Sequence, residues 1–290
     1  MSSPLTEEQN AAYARDGFII VRGLFDAAEL DPLYRAYQED PTVNGSLFGM
    51  VDDDGSAHPI CIWTELGDDI IGMVPRLARM VDATEELLGE PCYHWHSKIT
   101  VKPSGCEARI DWHQDYYSWY DDGLLFPDML SVGIAVEPAT RANGCLQVIP
   151  GSHRIGRMDH HDFENFERRR RRVQQTLGLV HCEMDAGDAV FFHCNTLHGS
   201  AANATETSRM MLFVSYNAVS NEPIPDARGL NEDGSFMNIS AAERAYRPLD
   251  KLPDTVLASR AFKSAFGHTR FKQPRIEEGG EFRTRAVELE

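Results

Sequence analysis

The stretch from Cys92 to Ala218 constrains the fold more than any other. Short apolar runs alternate there with turn signals: Tyr93–Lys102, Arg109–Tyr116, Leu130–Val136, Gly144–Ile149, Leu179–Glu183, Ala189–Phe192 and Arg209–Tyr216. Gly and Pro punctuate them at Pro103-Ser-Gly105, Glu137-Pro138, Pro150-Gly151 and Ala186-Gly-Asp188. Many short strands at this spacing point to a β-sandwich or barrel.

The residues before it read as helices. Thr6-x-x-Gln9 has the form of a capping box opening a helix from Glu7 to Arg15, which Asp16-Gly17 ends. Phe18–Val21 is a short apolar strand, and Asp26 caps a second helix, Ala27 to Gln38, with Pro32 near its first turn. Residues Asp40 to Ser56 are acidic and turn-rich; Asp52-Asp-Asp-Gly55 lacks the later bidentate Glu of a calcium loop and reads as a solvated turn. Asp69 to Leu88 carries Ile70, Val74, Leu77, Met80, Val81, Leu87 and Leu88 at helical spacing, kinked or started by Pro75 and ended by Gly89-Glu-Pro91.

An insert from Asp159 to Gln175 reads as a helix or lid and holds five consecutive arginines, Arg168 to Arg172. Balanced by Asp162, Glu164 and Glu167, that run reads as a solvated helix face rather than an anion site. After Glu222 the chain is rich in Pro and Gly, with short helices expected at Ser240–Tyr246 and Asp254–Phe266 and a flexible stretch at Glu277–Glu281. No repeat and no clean boundary divide the 290 residues. The expectation is one domain: a mostly helical scaffold over 1–91, a core over 92–218 with an insert at 155–178, and an extension over 219–290.

Composition excludes some functions. A net charge of −17 argues against a non-specific nucleic-acid binder or a polybasic membrane anchor. The six cysteines are scattered with no Cys-x-x-Cys pair, so a zinc ribbon or thioredoxin-type site is not expected and reduced thiols are. The N-terminus has no basic start and no apolar run, and no stretch approaches the roughly 20 apolar residues of a membrane span. These features lead to a soluble cytoplasmic protein acting on a small molecule, without nucleic-acid or membrane partners, with a homodimer left open.

The chemistry concentrates in Ile110–Tyr120. On an extended backbone His113 and Asp115, two apart, aim an imidazole and a carboxylate at one point. Alone, His-x-Asp is better explained by a polar surface strand. It sits, however, among Trp112, Tyr116, Tyr117, Trp119 and Tyr120, and His198 lies downstream at the end of an apolar strand. His193, five residues earlier, competes as third ligand; Gly199-Ser200 after His198 favours His198. Two imidazoles and one carboxylate on one side of an ion leave the opposite positions open, the arrangement of non-haem Fe(II) oxygenases. Arg209, eleven residues beyond His198, can grip a carboxylate bidentately as a lysine cannot.

These residues resemble the phytanoyl-CoA dioxygenase family of Fe(II)/2-oxoglutarate oxygenases over about Thr6 to Ala218. The resemblance rests on Asp16-Gly17-Phe18, Trp112-His-Gln-Asp115, Asn143-Gly-Cys-Leu-Gln-Val-Ile-Pro-Gly-Ser-His153, and His198-Gly-Ser200 with Arg209. Within the family the run Trp112 to Trp119, followed by Asp122-Gly123, is similar to that of ectoine hydroxylases. The chain departs from that subfamily at His96, Lys98 and Thr100, where Gln, Arg and Asn are usual, so the resemblance does not carry ectoine over as substrate. It implies a double-stranded β-helix, a jelly roll of cupin type, mainly β with flanking helices. It implies Fe(II) on His113, Asp115 and His198, with 2-oxoglutarate and O2 as co-substrates. Arg209 would hold the far carboxylate of 2-oxoglutarate, joined by Ser200, Thr100 and Lys98. The reaction implied is hydroxylation of an unactivated C–H of a small metabolite, with release of succinate and CO2. Relatives that halogenate carry a small residue where this chain has Asp115, so the carboxylate favours hydroxylation.

Tyr116, Tyr117 and Trp119 are candidates for the substrate wall, through apolar and cation–π contact; core packing is nearly as good a reading for Tyr117. His153, after a Pro-Gly-Ser turn, reads as structural. Two other outcomes fit the sequence: the same cofactors used for desaturation, epoxidation or cyclisation, and a non-catalytic cupin-like binding protein.

Overall fold

Alternation along the strands decides which faces of the sheets are buried. The computed structural model describes residues 4–51, 57–160, 162–224, 246–258, 271–272 and 285–287. The elements run α1 (Glu7–Asp16), β1 (Phe18–Val21), α2 (Ala27–Glu39), α3 (Pro41–Asn44), β2 (Phe48–Val51), β3 (Ala57–Trp63), α4 (Ile70–Met73) and α5 (Ala78–Leu88). The core follows as β4 (Cys92–Lys102), β5 (Ile110–His113), α6 (Asp115–Asp121), β6 (Met129–Ala135), β7 (Leu146–Val148), α7 (Phe163–Leu177), β8 (Val180–His181), β9 (Ala189–His193), β10 (His198–Ser200) and β11 (Arg209–Ala218). Two short late strands, β12 (Phe271–Lys272) and β13 (Arg285–Val287), complete the described elements.

Among the described residues the strands form two antiparallel sheets. The larger has the order β1-β9-β6-β11-β4-β3-β2-β13, with β12 also on β3; the smaller has the order β5-β10-β7-β8. Alternate residues of the large sheet face opposite ways. Cys61, Trp63, Ile99, Val101, Ile134, Phe191, Met210, Leu212 and Val214 pack outward against the helices, in one cluster with Leu33, Ile70, Leu77, Met80 and Val81. Ala135, Val190, Phe192, Met211 and Phe213 face inward and meet Leu146 and Val148 of the small sheet. The expected jelly roll, mainly β with flanking helices, is the observed fold. Each fully buried Phe or Leu in these layers contributes about 1.5–3 kcal/mol of burial free energy, so strand register is set by which face stays dry.

Several expectations needed correction. The capping boxes at Thr6–Gln9 and Asp26–Glu29 form as the sequence reads, with side chain and backbone reciprocally bonded. The single helix expected over Asp69–Leu88 is instead α4, a 3-10 turn at Val74–Arg76 and α5. Pro75 cannot donate a backbone hydrogen bond, and Leu77 is extended at φ −61°, ψ 137°. The broken turn bonds outward: Ala78 N–H donates to Leu252 O at 2.8 Å and Leu252 N–H to Arg76 O at 2.7 Å. Asp40–Ser56, expected as turns, contains α3 and β2, and β3 follows where no strand is expected; β3 joins the large sheet beside β4, and β2 lies beside β3. The Asp52–Gly55 turn, the Ser240–Tyr246 helix and the Glu277–Glu281 stretch fall outside the described residues, Tyr246 excepted. Of the helix expected over Asp254–Phe266, the described part, Asp254–Ala258, is a 3-10 turn.

The insert is α7. Arg168, Arg169, Arg171 and Arg172 are exposed, but Arg170 is buried. It pairs with Glu167 at 2.8 Å and lies 5.2 Å over the Trp112 ring, fastening the helix to β5.

Candidate metal and keto-acid site

The strand expected over Arg109–Tyr116 stops at His113, and Asp115 opens helix α6. Gln114 between them stays extended at φ −115°, ψ 129°. The two-residue same-face relation therefore survives across a strand-to-helix junction. His198 does not end the apolar strand: β9 ends at His193, a tight turn follows, and His198 opens β10. There it pairs directly with His113 across β5 and β10.

One ligand atom from each of His113, Asp115 and His198 lies within 4.8 Å of the others. His113 Nε2 is 3.5 Å from Asp115 Oδ1, and His198 Nε2 is 3.7 Å from the same oxygen. Each ring is oriented by its other nitrogen: His113 Nδ1 donates to Asp111 O at 2.7 Å, and His198 Nδ1 to Thr196 O at 2.9 Å. That fixes the tautomer and turns both Nε2 lone pairs inward, the second support a metal-bound imidazole needs. Burial lowers the His198 pKa to about 3, with His113 adding to the effect, so that ring is neutral and able to ligate. Burial alone would raise the Asp115 carboxyl, but His198, Lys98 and His113 more than offset it and hold it well below the usual carboxylate range. Two imidazole nitrogens and a carboxylate on one side suit a borderline divalent ion such as Fe(II).

Three supports escaped the sequence reading. Ser131 Oγ donates to Asp115 Oδ2 at 3.1 Å and is itself 2.9 Å from Ser215 Oγ. Ser131 and Ser215 are cross-strand partners of β6 and β11, a pairing invisible before register is known. Gln114, fully buried, donates to Gly156 O at 2.8 Å and Asn195 O at 2.7 Å and accepts from Met158 N–H at 2.7 Å. It locks the β5–α6 junction to the turn before His198. Its place between two inward ligands, on the opposite side by alternation, was the available signal. Ser152 donates to Ile149 O at 2.6 Å and accepts from Leu197 N–H at 2.8 Å, which ties the Pro150-Gly-Ser-His153 turn to the residue before His198.

Gly144, at φ +76°, turns tightly against the carbonyls of Ala201 and Ala202, where a Cβ would collide with backbone. His153 lies beside His193, ring centroids 5.4 Å apart and tilted by 49°, and fills the space a Cβ on Gly17 would need. His193 is not in the converging set; its Nδ1 accepts from Asn195 N–H at 3.0 Å.

Arg209 is 1% exposed, opens β11 opposite Lys102, and has no hydrogen-bond partner on Nε or Nη2 among the described residues. It forms no ion pair among the described residues. Burial lowers its pKa to about 10, so it remains a cation at neutral pH. Thr100 Oγ1 and Ser200 Oγ are likewise buried without hydrogen-bond partners among the described residues. Thr100 and Lys98 share the inward face of β4 with Lys102, and Lys98 lies 5.6 Å over the Phe213 ring. A buried guanidinium and two hydroxyls left open are costly unless an anion completes them.

The aromatic candidates lie as follows. Trp119 and Tyr116 pack in a cluster with Tyr93, Trp95, Leu124 and Met129, and the Tyr116 hydroxyl donates to Leu124 O at 3.1 Å. Trp119 meets the His96 ring edge-on at 5.6 Å. Tyr117 stacks on His160 at 4.3 Å and under Arg157 at 5.3 Å, joining α6 to the segment before α7. Among the described residues no helix is long and apolar enough to cross a membrane.

Comparison with known proteins places this arrangement. The family model described as phytanoyl-CoA dioxygenase (PhyH) matches residues 13–211. An ectoine dioxygenase of Bordetella parapertussis is 28% identical over 267 residues, covering 86% of this chain and 87% of that protein. An L-proline trans-4-hydroxylase of Streptomyces griseoviridis is 32% identical over 181 residues, covering 56% of this chain and 68% of the relative. The crystal structure of EctD from S. alaskensis with 2-oxoglutarate and 5-hydroxyectoine superposes with a TM-score of 0.68 at 26% identity, covering 87% of this chain and 89% of EctD. The same protein has been solved with bound Fe. With the fold, the inward triad and a family match spanning more than two thirds of its length, the chain belongs to the phytanoyl-CoA dioxygenase family.

Proposed function

We propose that the protein is an Fe(II)- and 2-oxoglutarate-dependent dioxygenase that hydroxylates an unactivated C–H of a small metabolite, releasing succinate and CO2. One observation carries the reading. Three ligand atoms converge, with both imidazoles oriented through backbone carbonyls, while the inward sheet face offers a buried guanidinium with open donors. A binding protein without chemistry has no use for both.

His113, Asp115 and His198 would hold the metal on one face. When bound, iron supplies the activation of O2 that cleavage of a strong C–H bond requires, coupled to oxidative decarboxylation of 2-oxoglutarate. Ser131 keeps the Asp115 carboxylate aligned through Oδ2, leaving Oδ1 toward the imidazoles. Arg209 fixes the distal carboxylate of 2-oxoglutarate, with Thr100, Ser200 and Lys98 contributing further donors. The β-core walls exclude water from this end.

Tyr117, Tyr116 and Trp119 would form the substrate wall, Tyr116 by its ring alone because its hydroxyl is occupied. The relatives named for ectoine and for L-proline support a small metabolite as the substrate class. The unpaired cysteines, five of the six buried, fit a reducing cytoplasm.

The test is succinate formation from 2-oxoglutarate by Fe(II)-loaded protein, with and without O2, across a panel of amino-acid-like metabolites. Oxygen-dependent, substrate-stimulated succinate is expected. No succinate in any arm would return the chain to the binding-protein reading.

A further inference from the structure

His58 lies on β3, a strand the sequence reading did not identify. Its imidazole is 2% exposed, and Nδ1 has no hydrogen-bond partner among the described residues. Register places it. Ile60 pairs with Thr100 and Ile62 with Lys98, so alternate residues of β3 share the inward face of Thr100 and Lys98. His58, two residues before Ile60, stands on that face at the Lys102 end of β4, where Arg209 begins β11. A buried ring nitrogen without a partner costs free energy, and the residue is retained in a wall otherwise built of Phe48, Ile60 and Ile62.

We propose that His58 is a further 2-oxoglutarate-binding residue, donating a hydrogen bond to the distal carboxylate that Arg209 holds. The assignment rests on the function proposed above. The electrostatics agree with it. Burial, then Lys102, Arg209 and Lys98, lower the His58 pKa to about 3. The ring therefore stays neutral and offers one N–H and one lone pair rather than a competing charge. Lys102 is already bonded to the carbonyls of Ala108 and Ala201, and the buried polar atoms without a partner among the described residues include those of Arg209, Thr100, Ser200 and His58. A neutral donor beside a guanidinium adds direction without adding charge repulsion to the empty pocket.

The experiment is anaerobic titration calorimetry of the full-length protein loaded with Mn(II), using 2-oxoglutarate and pyruvate. Pyruvate carries the same keto-acid head and no distal carboxylate. His58→Ala is expected to weaken 2-oxoglutarate about tenfold, the loss of one hydrogen bond to a charged group, and to leave pyruvate unchanged. His58→Asn, which keeps an N–H donor near the position of Nδ1, is expected to recover most of the affinity. His58→Phe, which keeps the ring and loses the donor, is expected to match His58→Ala; this pair decides the matter should the alanine variant fold poorly. Equal 2-oxoglutarate affinity in wild type and His58→Phe would overturn the assignment while leaving the oxygenase reading intact. Equal weakening of pyruvate and 2-oxoglutarate would overturn it as well, because it would mean general damage to the site. Absence of 2-oxoglutarate binding by the wild type would instead overturn the parent reading.

Discussion

Replacing Arg209 separates binding from stability, because the two should move in opposite directions. The guanidinium is 1% exposed and leaves Nε and Nη2 without partners. Such a buried charge is a net cost to the empty protein, and replacing buried ionic groups by well-packed apolar side chains is often stabilising by about 1–4 kcal/mol. Arg209→Met should therefore raise the melting temperature of the ligand-free protein, by about 2–4 °C per kcal/mol at domain sizes near this one. Each hydrogen bond to a charged group contributes about 1.5–3 kcal/mol, so losing both weakens 2-oxoglutarate by at least a hundredfold. Arg209→Lys keeps the charge but loses the paired geometry, and about one such bond, for a loss of roughly 10- to 150-fold. The assay is differential scanning fluorimetry with Mn(II) and increasing 2-oxoglutarate. Wild type should gain about 2.7 kcal/mol of stability at a ligand concentration of about 100 times its Kd, and Arg209→Met at the same concentration should gain no more than about 0.4 kcal/mol. A destabilised Arg209→Met that 2-oxoglutarate still protects would refute the reasoning, since the guanidinium would then be structural.

Other perturbations follow from the same geometry. Asp115→Ala or His198→Ala removes one of three converging ligands, so iron content and succinate formation should both fall to background while the fold persists by circular dichroism. Ser131→Ala strips the hydrogen bond from Asp115 Oδ2 and should weaken metal affinity by about 10- to 100-fold in a competitive chelator titration; unchanged affinity would dismiss Ser131 as a support. Gln114→Leu strands the Met158 N–H and two carbonyls, at about 1–3 kcal/mol for each group left buried, which should appear as a lower urea midpoint. Burial lowers His58 to about 3 and His193 to about 4 from the ordinary 6.5. Below pH 6.5 the unfolded chain takes up protons at these positions and the folded one does not. Stability should fall as pH drops from about 6.5 toward 4, by about 1.4 kcal/mol per pH unit for each histidine. Substituting both by Phe should reduce that slope by about 2.8 kcal/mol per pH unit in urea titrations across the range, leaving the part that His198 contributes.

Some of this protein was legible in its residues before any coordinates. The capping boxes at Thr6 and Asp26 are local, needing only side chains three residues apart, and both form. A β-sandwich or barrel follows from short apolar runs between turns, and the family resemblance narrows it to a jelly roll. The His-x-Asp pair and the turn motif through His153 are likewise carried by short-range spacing. What the sequence could not fix was pairing over distance. The direct partnership of His113 with His198, the Ser131–Ser215 support under Asp115, and the arrival of His58 near Arg209 depend on register between strands separated by tens of residues. The break at Leu77 was decided the same way, by backbone bonds to Leu252 far along the chain. Local rules set what each segment prefers; only burial of the shared core selects which segments meet, because the free energy of that choice is spread over contacts no single stretch contains.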